Sequence, residues 1–110
     1  MNLQNKTCEP CNGNGVKLDE PTALEFLKSL HENWAVVDGG SKLVRQFKFK
    51  GFAKATAHAN LAAFIGDKEG HHPDIQFGWG YCHVTFTTHD LDGLSENDFI
   101  CAAKLDHVVA

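Results

Sequence analysis

Three histidines carry the chemistry this sequence offers. His71 and His72 are adjacent in the stretch GDKEGHHPDIQFGWG, and His89 follows 18 positions after His71. Imidazole titrates near neutral pH and can both give and take a proton, which suits metal-free acid–base catalysis. Three histidines can also form the protein part of a catalytic zinc site. Adjacent histidines chelate poorly because neighbouring side chains diverge, and HxH or HxxxH on one regular element is the commoner ligand pattern. Asp67, four residues before His71, adds a carboxylate that could orient a histidine or accept a hydrogen bond from a substrate amine. Catalysis, metal binding and a coincidental doublet in a turn all stay open on these residues alone.

The surrounding elements decide whether the three can meet. Pro73 disfavours helical geometry at His72, so a helix running through FAKATAHANLAAFIGDK (52–68) must end before it. Phe52, Ala55, Ala59, Ala62 and Ile65 form its apolar stripe, and its alanines permit close packing on a sheet. After Pro73, Ile75, Phe77 and Trp79 alternate with polar or small residues, as in a half-buried strand with Trp79 in the core. A turn around Gly80 leads into YCHVTFTTH. There Cys82, Val84 and Phe86 face one way and His83, Thr85, Thr87 and His89 the other. In an antiparallel hairpin the start of the first strand lies beside the end of the second. His71 and His72 are therefore expected at the same end of the sheet as His89.

The rest of the chain supplies a matching frame. DEPTALEFLKSLHENW reads as a helix with Asp19 as cap, Pro21 in the first turn, and Ala23, Leu27, Leu30 and Trp34 as its buried stripe. WAVVD and KLVRQFKFK, joined by GGS, read as a hairpin with Leu43, Phe47 and Phe49 inward. Ser95 and Asp98 form a capping arrangement at the start of a last helix, with Leu94 and Phe99 as a hydrophobic staple. The expected fold is α+β: a four-stranded antiparallel sheet with three helices packed on one face, in the order α-β-β-α-β-β-α. Residues 1–18 read as a flexible leader and residues 19–110 as a single domain.

Composition narrows the function class. A chain of 110 residues fits one domain able to bury a core without staples, and a net charge of −4 argues against direct nucleic-acid binding. No apolar run is long enough to span a bilayer, and the first residues lack the apolar core of a secretory signal, so the expected location is cytoplasmic. Of the four cysteines, Cys82 and Cys101 read as small buried hydrophobes. Cys8 and Cys11 form one CxxC without the second ligand pair a structural zinc site needs.

DKEGHHP, Trp79, TFTTH and GLSENDF together resemble the pterin-4a-carbinolamine dehydratases. In that family an acidic residue precedes His-His-Pro by a fixed spacing, followed by an aromatic, a further His and a later Asp. Asp67, His71, His72, Pro73, Trp79, His89 and Asp98 fill those positions. The likeness extends through LKSLHENW, RQFKFKGFAKATAHANLAAFI and CAAKLD, about residues 19–109. The resemblance implies removal of water from a 4a-hydroxytetrahydropterin to give the quinonoid dihydropterin, recycling the cofactor of aromatic amino acid hydroxylases. It makes His71, His72 and His89 the catalytic trio; within it we expect, beyond what the resemblance implies, His71 and His89 as the acid–base pair and His72 placing the ring. Asp67, Pro73, Thr87 and Thr88 would line the substrate site. It implies no metal and no organic cofactor, a hydroxylase as functional partner, and a homotetramer or dimer with no nucleic-acid or membrane contact. Gly70 departs from the Asp or Asn of many members, which removes a polar contact and would loosen the loop. The alternatives are a non-catalytic binding or assembly module, like a transcriptional dimerisation cofactor, and a metal site built from Cys8, Cys11 and histidines.

Overall fold

The computed structural model describes residues 2–9 and 16–110. Its principal elements are α1 (Glu20–Leu27), β1 (Trp34–Val37), β2 (Lys42–Lys48), α2 (Ala53–Glu69), β3 (Asp74–Gly78), β4 (Tyr81–Phe86) and α3 (Glu96–Val109). The four strands form one antiparallel sheet in the order β1-β2-β4-β3, so the two hairpins join through β2 and β4. This is the α-β-β-α-β-β-α arrangement expected from the sequence.

Register explains the core. Leu43 pairs with Phe86 and Phe47 with Cys82, placing four buried side chains on the helix-facing side of the central pair. Phe86, Phe99, Leu43 and Leu105 are fully buried. Each such burial is worth about 1.5–3 kcal/mol in transfer free energy. Helix α2 contributes Ala55, Ala59, Ala62 and Ile65, as its periodicity implies. Phe52 departs from that stripe: it stands at the N-terminal cap, half exposed, beside the Phe77 ring.

Two further expectations need correction. Helix α1 stops at Leu27 rather than running to Trp34. Lys28, Ser29 and Leu30 donate back to the residues three before them, so the helix tightens and ends. Trp34 is buried, but as the first residue of β1, because Asp106 of α3 claims this corner. The Asp106 carboxylate accepts from His31 N at 2.8 Å, Trp34 Nε1 at 2.7 Å and Arg45 at 2.6 Å. Three donors on one carboxylate outweigh the weak helical preference of Ser, His and Asn in this stretch. Trp79, expected in the core, is 70% exposed. Gly78 pairs with Tyr81, so Trp79 and Gly80 are the two-residue turn of the hairpin, and the period-2 pattern stops one residue before the tryptophan.

Residues 2–9 rest against α3. Leu3, in a short 3₁₀ turn at Leu3–Asn5, is fully buried, and Lys104 of α3 donates to Gln4 O at 2.9 Å. An apolar residue at the third position that finds a groove on α3 orders the chain around it. Cys11 lies outside the described residues.

Replacing Asp106 with alanine strips a nearly buried guanidinium and an indole N–H of their acceptor. Asp106→Ala is expected to lose about 2–4 kcal/mol in urea unfolding, with Asp106→Asn intermediate.

Candidate active site

The exit from α2 sets up the site. Gly70 has φ +66° and ends the helix in the left-handed region. His71 N donates to Gly66 O at 3.0 Å and Gly70 N to Asp67 O, the paired bonds of a Schellman terminator. Gly70 thus tightens the turn, contrary to the loosening expected from a missing polar side chain. The chain then folds back over its own helix. A Cβ at Gly66 would stand 2.4 Å from Pro73 Cδ and 3.2 Å from His71 O, so only glycine permits that approach. The reversal drives His71 inward and leaves His72 exposed. Neighbouring side chains diverge, as anticipated for an adjacent pair.

His71 is 5% exposed and meets a fully buried carboxylate. Its Nε2 lies 2.5 Å from Asp98 Oδ1. The ring also lies nearly parallel to Phe86, at 10° between planes. Asp98 Oδ2 accepts from Thr88 Oγ1 at 2.8 Å and from Ser95 N at 2.9 Å. Asp98 is therefore both the N-terminal brace of α3 and the group that fixes the His71 ring. The sequence showed the first role through the S-x-x-D spacing. Asp67, expected to meet the substrate or to orient a histidine, is exposed and stands outside this cavity's lining. The only signal for Asp98 was its place in the family pattern.

His89 comes in from the other side. Beyond β4, Thr88 and Gly93 form an isolated bridge that closes a short loop, and a 3₁₀ turn at His89–Leu91 lifts His89 to the surface. Thr87 Oγ1 holds the base of this loop by donating to Ser41 O at 2.6 Å. His71, His72, Pro73, Thr87, Thr88 and His89 all line one open cavity of about 300 Å³, together with Gly70, Asp74 and Asp90. The hairpin argument thus brings the three histidines together, as the sequence predicted. Asp74 and Asp90, which no motif singled out, add two exposed carboxylates to that lining. Among the described residues, no group of three His, Cys, Asp or Glu side chains has the arrangement to hold a metal ion.

The arrangement supplies a ring locked in one orientation, two solvent-accessible imidazoles and hydroxyl and carboxylate acceptors around a shallow polar cavity. With Nε2–H donating to Asp98, a neutral His71 carries its lone pair on Nδ1. Such a cavity can shuttle protons on a small heterocycle.

Comparison with known proteins identifies the family. Residues 16–108 match the family model described as pterin 4 alpha carbinolamine dehydratase. A protein of Legionella pneumophila (strain Lens), named "Putative pterin-4-alpha-carbinolamine dehydratase", is 43% identical over 97% of this chain and 95% of its own. One of Alkaliphilus metalliredigens with the same name is 42% identical over 96% and 94%. Among solved structures, a transcriptional coactivator/pterin dehydratase from Brucella melitensis superposes with a TM-score of 0.78 at 33% identity, covering 86% of this chain and all of that one. A pterin dehydratase-like protein described as a RuBisCO assembly factor in the alpha-carboxysome gives a TM-score of 0.60 at 26% identity, over 73% and 93%.

Two substitutions test the geometry itself. Gly66→Ala forces the His71–Pro73 segment off the helix and is expected to cost about 1–3 kcal/mol, with a changed His71 ring environment by NMR. Asp98→Ala leaves the Thr88 hydroxyl and Ser95 N–H without their acceptor, and should cost about 1–3 kcal/mol in denaturant unfolding.

Proposed function

This chain belongs to the pterin 4 alpha carbinolamine dehydratase family, and on that premise we propose that it removes water from a 4a-hydroxytetrahydropterin by histidine acid–base catalysis. The observation that supports this most is the buried His71–Asp98 pair opening on a cavity that also holds His72 and His89.

The reaction is an elimination. The bond from C4a to the hydroxyl oxygen breaks, the hydroxyl takes a proton and leaves as water, and N5 gives up its proton as the C4a–N5 double bond forms. One proton is supplied and one is removed, so a pair of imidazoles in opposite protonation states completes the cycle. His71 fits the base: Asp98 fixes its ring and stabilises the imidazolium formed when it accepts the N5 proton. His89, exposed on the 3₁₀ turn, fits the acid that protonates the leaving hydroxyl. His72 on the rim places the ring. The carboxylates of Asp74 and Asp90 suit the amino and N–H donors of a pterin, which takes over the role expected of Asp67. Thr87 and Thr88 hold the loop that carries His89. The product is the quinonoid dihydropterin, which returns to an aromatic amino acid hydroxylase after reduction. No metal or organic cofactor enters these steps.

The direct test generates the 4a-hydroxypterin with a phenylalanine hydroxylase, adds this protein, and follows dehydration by absorbance. Acceleration over the spontaneous rate is expected, and it should survive prior treatment with a chelator. His71→Ala and His89→Ala should each lower kcat by about 10²- to 10⁴-fold, whereas His72→Ala should chiefly raise KM. A non-catalytic assembly module, as the carboxysome relative's description raises, would give the spontaneous rate with every variant.

A further inference from the structure

The N-terminal segment reaches the helix that holds Asp98, and one of its contacts there is a pair of thiols. Cys8 Sγ lies 3.5 Å from Cys101 Sγ, both buried. Around that contact the segment is held on two sides. Cys8 N donates to Glu69 Oε1 at 2.9 Å, one residue before the Gly70 turn. Glu9 N donates to Asn97 Oδ1 at 3.0 Å, and Asn97 Nδ2 returns a bond to Glu9 O at 2.8 Å. Cys8 therefore bridges the end of α2 to the first turn of α3, and Cys101 sits one turn after Asp98.

We propose that Cys8 and Cys101 are a modification site: they form a reversible intramolecular disulfide that fastens the N-terminal segment to α3. Closing from 3.5 Å to the ~2.05 Å of a disulfide asks for about 1.5 Å of movement, with the Cys8 thiol giving up its 3.6 Å contact with Asn97 O. The oxidant is a hydroperoxide, with hydrogen peroxide the simplest. The Cys8 sulfur attacks one peroxide oxygen, the O–O bond breaks, and water leaves with the thiol proton, giving a sulfenic acid. The Cys101 sulfur then attacks the Cys8 sulfur. The S–O bond breaks and the oxygen departs as water with the Cys101 proton. Two thiols lose two electrons, and one peroxide becomes two waters. Two equivalents of a small thiol reverse the step and leave as their own disulfide. Cys8 takes the first step because it retains some access to solvent, at 9% exposure, whereas Cys101 is fully enclosed. Cys82, a second fully buried thiol whose ionisation burial opposes, has no sulfur beside it among the described residues and stays reduced.

The experiment treats the full-length protein, wild type and Cys11→Ser, with hydrogen peroxide. It then caps remaining thiols with N-ethylmaleimide and maps non-reduced peptides by mass spectrometry. Expected are the loss of two hydrogens from the monomer, a Cys8–Cys101 cross-linked peptide in both proteins, and its disappearance with dithiothreitol. Cys8→Ser and Cys101→Ala should each abolish it. Oxidation should also raise the urea midpoint and slow amide exchange over Asn97–Cys101, because the turn that braces Asp98 is then anchored. A Cys8–Cys11 bond in the wild type, an intermolecular product, oxidation of Cys8 beyond the sulfenic acid, or unchanged exchange would each overturn the proposal. None of these readouts depends on turnover.

Discussion

A buried carboxylate must be surrounded by donors, and Asp98 is the point where this fold meets that demand. It has no solvent contact, and it accepts from the imidazole of His71, the hydroxyl of Thr88 and the backbone N–H of Ser95. Those donors come from the loop after α2, the loop just beyond β4 and the start of α3. Removing any one leaves part of the carboxylate unsatisfied in a low-dielectric interior, so the three segments are energetically coupled. Thr88 also meets the Ser95 hydroxyl at 2.8 Å, which closes the network. The histidine that faces the cavity is thus fixed by the same bonds that start the last helix.

Close packing lets those segments converge. The alanine face of α2 sits against the sheet, and Gly66 allows the chain to reverse onto the helix it has just left. A larger residue at either level would move the His71–Pro73 segment outward and away from Asp98. At the opposite end of α3, Asp106 gathers Trp34, Arg45 and the His31 backbone in a second network. Helix α3 is therefore tied to the sheet side at one end and to the site at the other. Arg45 Nε is buried without a partner among the described residues, a local cost its bond to Asp106 and its position over the Phe47 ring help offset.

Much of this was legible in the residues. The alternation in YCHVTF, the alanine stripe of α2 and the Pro73 stop fixed the order and sense of the elements. The hairpin logic then placed His71, His72 and His89 at one end of the sheet. The misreadings share a cause. Phe52 and Trp79 were assigned to apolar faces by extending a periodicity one step past the end of its element, and Trp34, though buried, was given to a helix that stops at Leu27; a period carries no information about where the chain turns. Asp98 was read only as a helix cap and a motif position, not as the partner of a histidine. The 27 positions between His71 and Asp98 hide a contact that only folding creates.

By itself the sequence determined the element types, the pairing of the two hairpins and the gathering of three histidines, because these follow from local pattern and short turns. Tertiary structure decided which histidine is buried, which carboxylate holds it and where the N-terminal segment rests. Those outcomes depend on distant donors and acceptors competing for the same buried atoms, and no local spacing records which of them wins.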